Sequence, residues 1–152
     1  MATRTLYDAV ALSVLTAANF DRIPKGWIGY ASVTANQTGI GTSATDLTGL
    51  TITVDVPADR VIQVIGQVQA NPSVAAYVTV TIVQTSTTIG RVGRQYSDGD
   101  SFTMYGSVPP LQLAAGSYTF KLQGLTSTGT FDMEASSTAP AFIAVIDLGA
   151  TT

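Results

Sequence analysis

Apolar and polar side chains alternate with a period of two along most of the chain after residue 26. This alternation predicts strands that are buried on one face, and the absence of crossover helices between them favours antiparallel pairing. The predicted strands are residues 27–34, 50–56, 62–69, 78–83, 89–96, 102–105, 118–123, 131–136 and 141–148. Their number, about eight or nine, and their spacing predict an all-β protein, an antiparallel jelly-roll β-sandwich.

The last predicted strand, residues 141–148, is apolar on both of its faces. A two-sheet sandwich of this size covers only one face of a strand, so the second face needs another cover. A subunit interface is the simplest such cover. The candidate interface residues are Trp27, Tyr30, Phe142, Ile143, Val145 and Ile146.

The first 26 residues differ from the rest because their apolar positions do not alternate. Thr16 is a suitable N-cap for one helical turn over residues 17–22, which Pro24 ends. So short a segment cannot form its own core, and we expect it to dock on another protein surface. The sequence thus divides into an anchoring arm, residues 1–26, and a sandwich domain, residues 27–152. The arm residues expected to anchor it are Leu6, Tyr7, Val10, Leu15, Phe20 and Ile23.

The composition of the chain excludes several classes of function. Its 152 residues include no cysteine and no histidine, which removes disulfides, thiolate chemistry and the commonest general base and metal ligand. We therefore expect no enzymatic activity, no metal and no cofactor. The net charge is −3 and the seven Lys and Arg residues are scattered, so we expect no nucleic-acid partner. No apolar run reaches the ~18 residues of a membrane span, and no secretory signal is evident.

Two acidic groupings are candidate sites. The Asp-Gly-Asp sequence at residues 98–100 offers two carboxylates for calcium, but Asp-Gly is also a strong signal of a hairpin turn, which we favour. Asp132 and Glu134 are two residues apart on one face of a predicted strand and could act as an acid–base pair. Because that face is polar, we interpret both as solvated charges.

Basic residues and glycines offer weaker candidates. Serine–lysine catalysis would need Lys25 or Lys121, and neither a Pro-Lys-Gly turn nor an outward strand position is an environment that activates a lysine. Arg91 and Arg94 are the closest cations in the predicted sandwich, and we interpret them as part of a solvated face. The Gly-Ile-Gly sequence at 39–41 resembles part of a phosphate loop, but no helix follows it, so a surface loop is favoured.

Three aromatic residues allow two interpretations. Trp27, Tyr30 and Tyr7 could form a platform that binds sugars. The alternative, which we favour, is that Trp27 closes one end of the core and Tyr30 lies at a contact.

Several segments resemble bacteriophage virion proteins of the kind common in phages of actinobacteria. They are LTAANFDRIP at 15–24, GWIGYA at 26–31, DLTGLTITV at 46–54, VPADR at 56–60, AAGSYTFKL at 114–122, PAFI at 140–143 and DLG at 147–149. Asp59 stands where such proteins often have glycine. The resemblance extends over nearly the whole chain and implies a jelly roll similar to those of tumour-necrosis-factor-like trimers.

The resemblance implies a virion structural protein and supplies no catalytic residues. We expect a homotrimeric head decoration protein that binds the major capsid protein at the capsid surface and is made in the host cytoplasm. The alternative is a short tail fibre or tail-tip protein that contacts tail proteins and binds host glycans.

Overall fold

The computed structural model describes residues 23–57 and 59–150, which form eleven β-strands and no helix. The helical turn predicted at residues 17–22 lies outside these ranges. The strands are β1 (Gly26–Val33), β2 (Gln37–Ile40), β3 (Thr45–Val56), β4 (Arg60–Pro72), β5 (Ala76–Gln84), β6 (Thr87–Ser97), β7 (Phe102–Ser107), β8 (Leu111–Leu113), β9 (Gly116–Thr126), β10 (Phe131–Glu134) and β11 (Ala141–Ala150).

The strands form two antiparallel sheets. In the seven-stranded sheet, β4 is central: β11 and β10 pair with one of its edges, β7 and β8 with the other, and β1 and β2 extend the sheet beyond β11 and β10. The four-stranded sheet has the order β3-β9-β5-β6. Among the described strands, only β5 and β6 are both consecutive in the chain and paired. The other connections lead from one sheet to the other or past a neighbouring strand, as in a jelly roll. The predicted fold class is confirmed.

The core lies between the two sheets and consists of the inward residues of the alternating strands. On β4 these include Ile62, Val64 and Val68, and on β9 they include Phe120 and Leu122, all 0% exposed. Burial of each such side chain contributes about 1.5–3 kcal/mol of transfer free energy. The period-two prediction for these strands is therefore confirmed in detail.

Glycines allow the two sheets to touch along one side of the sandwich, where β6 lies against β7. A Cβ atom on Gly106 would lie 2.2 Å from the carbonyl oxygen of Val92, and one on Gly90 would lie 2.3 Å from the side chain of Val108. Only residues without a side chain permit this approach. The contact closes the sandwich on this side.

The structure corrects the sequence prediction at two places. Residues 98–100 do not form a hairpin turn, because β6 belongs to the four-stranded sheet and β7 to the seven-stranded one. Instead they connect the sheets, and the Ser97 hydroxyl stabilises the connection by donating to the Asp100 carbonyl at 2.6 Å. Secondly, the loop expected at residues 39–41 includes the end of β2, whose Ile40 is buried. Strands as short as β2 and β8 show too little alternation to be recognised, so the predicted strand count was too low.

Candidate functional site

The outward side of the seven-stranded sheet carries a row of exposed aromatic side chains, which we call the aromatic face. It consists of Trp27, Tyr30, Phe142 and Tyr105. Trp27 is 60% exposed, Tyr30 49% and Tyr105 62%. The ring centroids of successive members are 5.6 Å, 5.8 Å and 6.5 Å apart. The four rings thus form a continuous apolar surface across β1, β11 and β7.

A β-bulge explains why Trp27 and Tyr30 lie on the same face. Residues three apart in a regular strand point in opposite directions. In β1, however, the register with β11 shifts between Trp27 and Gly29. Ile28 contacts the core, and a Cβ on Gly29 would lie 2.6 Å from the Val54 side chain, so both of these residues face inward. The bulge turns Tyr30 outward beside Trp27.

Register across the sheet brings Phe142 and Tyr105 together. Phe142 on β11 is opposite Gln67 on β4, and Gln67 is opposite Tyr105 on β7. The two aromatic residues therefore lie in one row, on either side of a glutamine. The neighbouring outward side chains of β4 are Gln63 and Gln69, and Gln69 donates to the half-buried Glu134 carboxylate of β10, which lies beside this part of the surface.

The strands that carry the aromatic face contribute no exposed charge. Strands β1, β4, β7, β8 and β11 contain only two charged residues, Arg60 and Asp147, and each is 1% exposed. Their inward ion pair leaves the outward side of these strands neutral. Large neutral aromatic surfaces of this kind are typical of the centres of protein interfaces.

The structure places the predicted interface residues in two different environments. Trp27, Tyr30, Phe142 and Ile146 are at least partly exposed on the outward side. Ile143 and Val145 are 0% exposed in the core between the sheets. The prediction was wrong for these two residues, because alternation along β11 directs odd-numbered positions inward. The interpretation of Trp27 as a core-closing residue is wrong as well.

The predicted arm lies almost entirely outside the described residues. This applies to Leu6, Tyr7, Val10, Leu15 and Phe20, and hence to any role of Tyr7 beside Trp27. Ile23 is described and is 46% exposed. Its carbonyl oxygen accepts a hydrogen bond of 2.7 Å from the Nη2 of Arg60.

Arg60 and Asp147 form a buried ion pair that the sequence pattern did not predict. The Nε of Arg60 donates to both carboxylate oxygens at 3.1 and 2.9 Å, and its Nη2 lies 2.9 Å from each of them. Asp147 also accepts from the Gly149 amide at 2.8 Å. Because Arg60 reaches Ile23 as well, the pair ties the beginning of the described chain to β4 and β11. The alternation along β11 could have indicated that Asp147 is buried, because Asp147 lies on the same inward face as Ile143 and Val145.

The acidic candidates make structural hydrogen bonds. Asp132 accepts from the Gly39 amide at 2.8 Å, while the two oxygens of Glu134 accept from Gln69 and Asn71 at 2.9 and 3.0 Å. Within the described ranges, no three His, Cys, Asp or Glu residues are grouped so that they could hold a metal ion. These contacts favour the structural interpretation of the pair.

Lys121 forms a surface ion pair with Asp46, with the Nζ 2.8 Å from Oδ2. Hydrogen bonds from Lys121 and Gln123 lower the pKa of Asp46 below its usual value. A lowered pKa makes the pair stabilising above the ordinary pKa of an aspartate, and this stabilisation is lost as the pH falls through the lowered pKa. With Asp46 54% exposed, the contribution is under about 1 kcal/mol. The pair gives Lys121 a structural role.

Comparisons with known proteins show similarity only to solved structures. No model of a known protein family matches the chain, and no curated protein matches it. Among solved structures, the Eiger TNF of S. frugiperda is 14% identical, with 84% of this chain and 96% of that chain covered and a TM-score of 0.47. A carbohydrate-binding module, TmCBM61, solved with β-1,4-galactotriose, is 9% identical over 78% and 81% of the two chains, with a TM-score of 0.45.

A chain of the T13 IBDV viral particle is similar as well. It is 16% identical and has a TM-score of 0.46, and the match covers 86% of this chain but only 36% of that one. At such identities and scores these similarities assign no function, and the fold is established by the strand pairing itself.

The described part of the chain also contains no helix with the length and hydropathy of a membrane span.

Proposed function

We propose that this protein is a non-enzymatic structural protein of a bacteriophage virion, a homotrimeric head decoration protein. The observation that carries the proposal is the neutral aromatic face. In a symmetric oligomer the same patch meets its own copies near the axis, so exposed charges there would repel one another. A face made of Trp27, Tyr30, Phe142 and Tyr105 without exposed charge is suited to this contact.

The remaining parts of the proposal have separate support. The resemblance of the sequence to phage virion proteins supports the virion, and the similarity of those proteins to trimeric jelly rolls supports a trimer over a dimer. The lack of histidine and cysteine in the whole chain supports a structural role over an enzymatic one. The major capsid protein is the proposed partner, with the arm as the attachment.

A short tail fibre or tail-tip protein is the second candidate. The exposure of Trp27 and Tyr30 favours it, because these rings are available to a sugar as well as to another subunit. In that case the aromatic face would bind glycans of the host surface.

Removing the protein from phage particles distinguishes the two candidates. A decoration protein that binds only the assembled shell adds its binding free energy to the shell at many sites. Particles without the protein are therefore expected to release DNA at a lower temperature and to adsorb to cells normally. Heat release and adsorption rate are both measured, with purified protein added back as the control. Lost adsorption with unchanged heat stability would contradict the capsid role and favour the tail role.

Deletion of residues 2–22 tests the arm. We expect the truncated protein to keep its sandwich fold, because the two sheets enclose a continuous core whose residues lie between Ile40 and Val145. It is expected to lose attachment to particles, since the arm supplies the proposed contact with the capsid. Circular dichroism checks the fold and co-sedimentation with stripped particles checks attachment. Normal decoration by the truncated protein would exclude the arm as the anchor.

A further inference from the structure

The outward side of the four-stranded sheet carries a second surface, which we call the cationic strip. It consists of Tyr77 on β5 and of Arg91, Arg94 and Tyr96 on β6. Tyr77 is opposite Tyr96, and the arginines are opposite two threonines, Thr79 and Thr81. The strip lies on the other side of the sandwich from the aromatic face, and it remains accessible when that face is covered.

The aromatic part of the strip is exposed and well supported. Tyr77 is 45% and Tyr96 51% exposed, and their ring centroids are 5.2 Å apart. The Arg94 guanidinium lies 4.6 Å from the centroid of the Tyr77 ring, and this contact holds its charge over the exposed ring. The backbone of Tyr77 is held on both sides by Ser127, whose Oγ accepts from the Tyr77 amide and whose amide donates to the Tyr77 carbonyl. The platform is thus preorganised.

The charges of the strip contrast with the rest of the molecule. The chain has a net charge of −3. Of the described cations, Arg60 and Lys121 form ion pairs with aspartates, whereas no ion pair within the described ranges includes Lys25, Arg91 or Arg94. These two arginines are neighbours on one exposed strand. They place two positive charges on this face of an acidic protein, next to the single carboxylate of Asp98, which accepts a hydrogen bond from the Tyr96 hydroxyl.

We propose that the cationic strip binds an anionic oligosaccharide. Arginine recognises carboxylate, sulfate and phosphate groups through paired N–H donors, and tyrosine rings provide apolar surface for the faces of sugar rings. The hydroxyl groups of Thr79 and Tyr77 are suited to sugar hydroxyls, since each can donate and accept. The Tyr96 hydroxyl donates to Asp98 and the Thr81 hydroxyl donates to the Gln123 carbonyl, and both can still accept.

Two other classes of ligand fit less well. Nucleic acid needs cations for many successive phosphates, and the strip offers two beside the acidic Asp98. An acidic peptide would gain affinity from anchors in apolar pockets, whereas the strip is an open sheet surface flanked by threonines. A saccharide with few charges matches both the charge and the hydroxyl groups of the strip. This inference does not depend on the virion role proposed above.

Binding of the full chain to immobilised polysaccharides tests the inference. The probes are polygalacturonate, which carries carboxylates, heparin, which adds sulfates, neutral dextran, and oligothymidylate. We expect binding to polygalacturonate or heparin that weakens with added salt, and the stronger of the two identifies the anionic group. No binding to either, equal binding to dextran, or tighter binding to oligothymidylate would overturn the proposal.

Single substitutions locate the site. Arg94→Gln and Tyr96→Ala are each expected to weaken binding by about tenfold or more, because one removes the oriented charge and the other a stacking ring. Lys121→Gln is the matched control, since it removes a cation from the same side of the same sheet and is expected to leave binding unchanged. All three side chains point outward, and circular dichroism verifies their folds. An equal loss in Lys121→Gln and Arg94→Gln would show unspecific attraction and refute the assigned site.

Discussion

Replacing Asp147 with alanine is expected to destabilise the protein by about 3–5 kcal/mol. The substitution removes the carboxylate that the Nε and Nη2 of the 1% exposed Arg60 guanidinium contact at 2.9–3.1 Å, and with it the charge-assisted hydrogen bonds of the buried pair. It also removes the acceptor of the Gly149 amide. The free energy of unfolding is measured by urea denaturation, with all variants at the same protein concentration because the proposed self-association would contribute to apparent stability.

Asp46→Ala is the matched control for this experiment, because it breaks an ion pair of similar length at the surface. Its expected cost is under about 1 kcal/mol, since Asp46 is 54% exposed. The double variant Arg60→Met, Asp147→Leu removes both buried charges and is expected to recover part of the lost stability. A loss in Asp147→Ala no larger than that in Asp46→Ala would contradict a stabilising role of the buried pair.

Introducing a carboxylate into the aromatic face is expected to dissociate the proposed trimer. Tyr105→Glu places a charge beside Phe142 on a surface whose strands carry no other exposed charge. Around a threefold axis the three copies would bring like charges close together and desolvate them, at a cost of several kcal/mol. We expect the dissociation constant to rise by about a hundredfold or more, measured by sedimentation and light scattering over a dilution series.

Tyr96→Glu controls for the charge itself, because Tyr96 is a tyrosine of similar exposure on the opposite side of the sandwich. It is expected to leave the oligomeric state unchanged. A monodisperse monomer of the unaltered protein at micromolar concentration, together with monomeric placement in the phage particle, would refute the proposed trimer. If Tyr96→Glu caused the same dissociation, the subunit interface would have to be assigned to the four-stranded sheet instead of the aromatic face.

The alternation of apolar residues was enough to predict most of the architecture. On β4, for example, Ile62, Val64 and Val68 are buried as their parity requires, because side-chain direction in a strand is a local property of the backbone. The apolar character of both faces of β11 similarly predicted a surface with aromatic and aliphatic side chains, and Phe142 and Ile146 lie on it.

Features that depend on which strands become neighbours could not be predicted in this way. Arg60 and Asp147 are 87 residues apart, and their pairing requires β4 and β11 to be adjacent in the sheet. Residues 98–100 have the local signal of a hairpin, yet the pairing of β7 with β4 makes them a connection between the sheets.

The aromatic face depends both on the local sequence and on the pairing of distant strands. Its residue types are plain in the sequence, but a regular strand would have put Trp27 and Tyr30 on opposite sides. The bulge that reunites them arises from the pairing of β1 with β11, which accommodates one extra residue in β1. The direction of each side chain in a strand thus depends on neighbouring residues and can be predicted from the sequence. Strand order, register and bulges depend on contacts between distant segments, and only the folded chain brings these segments together.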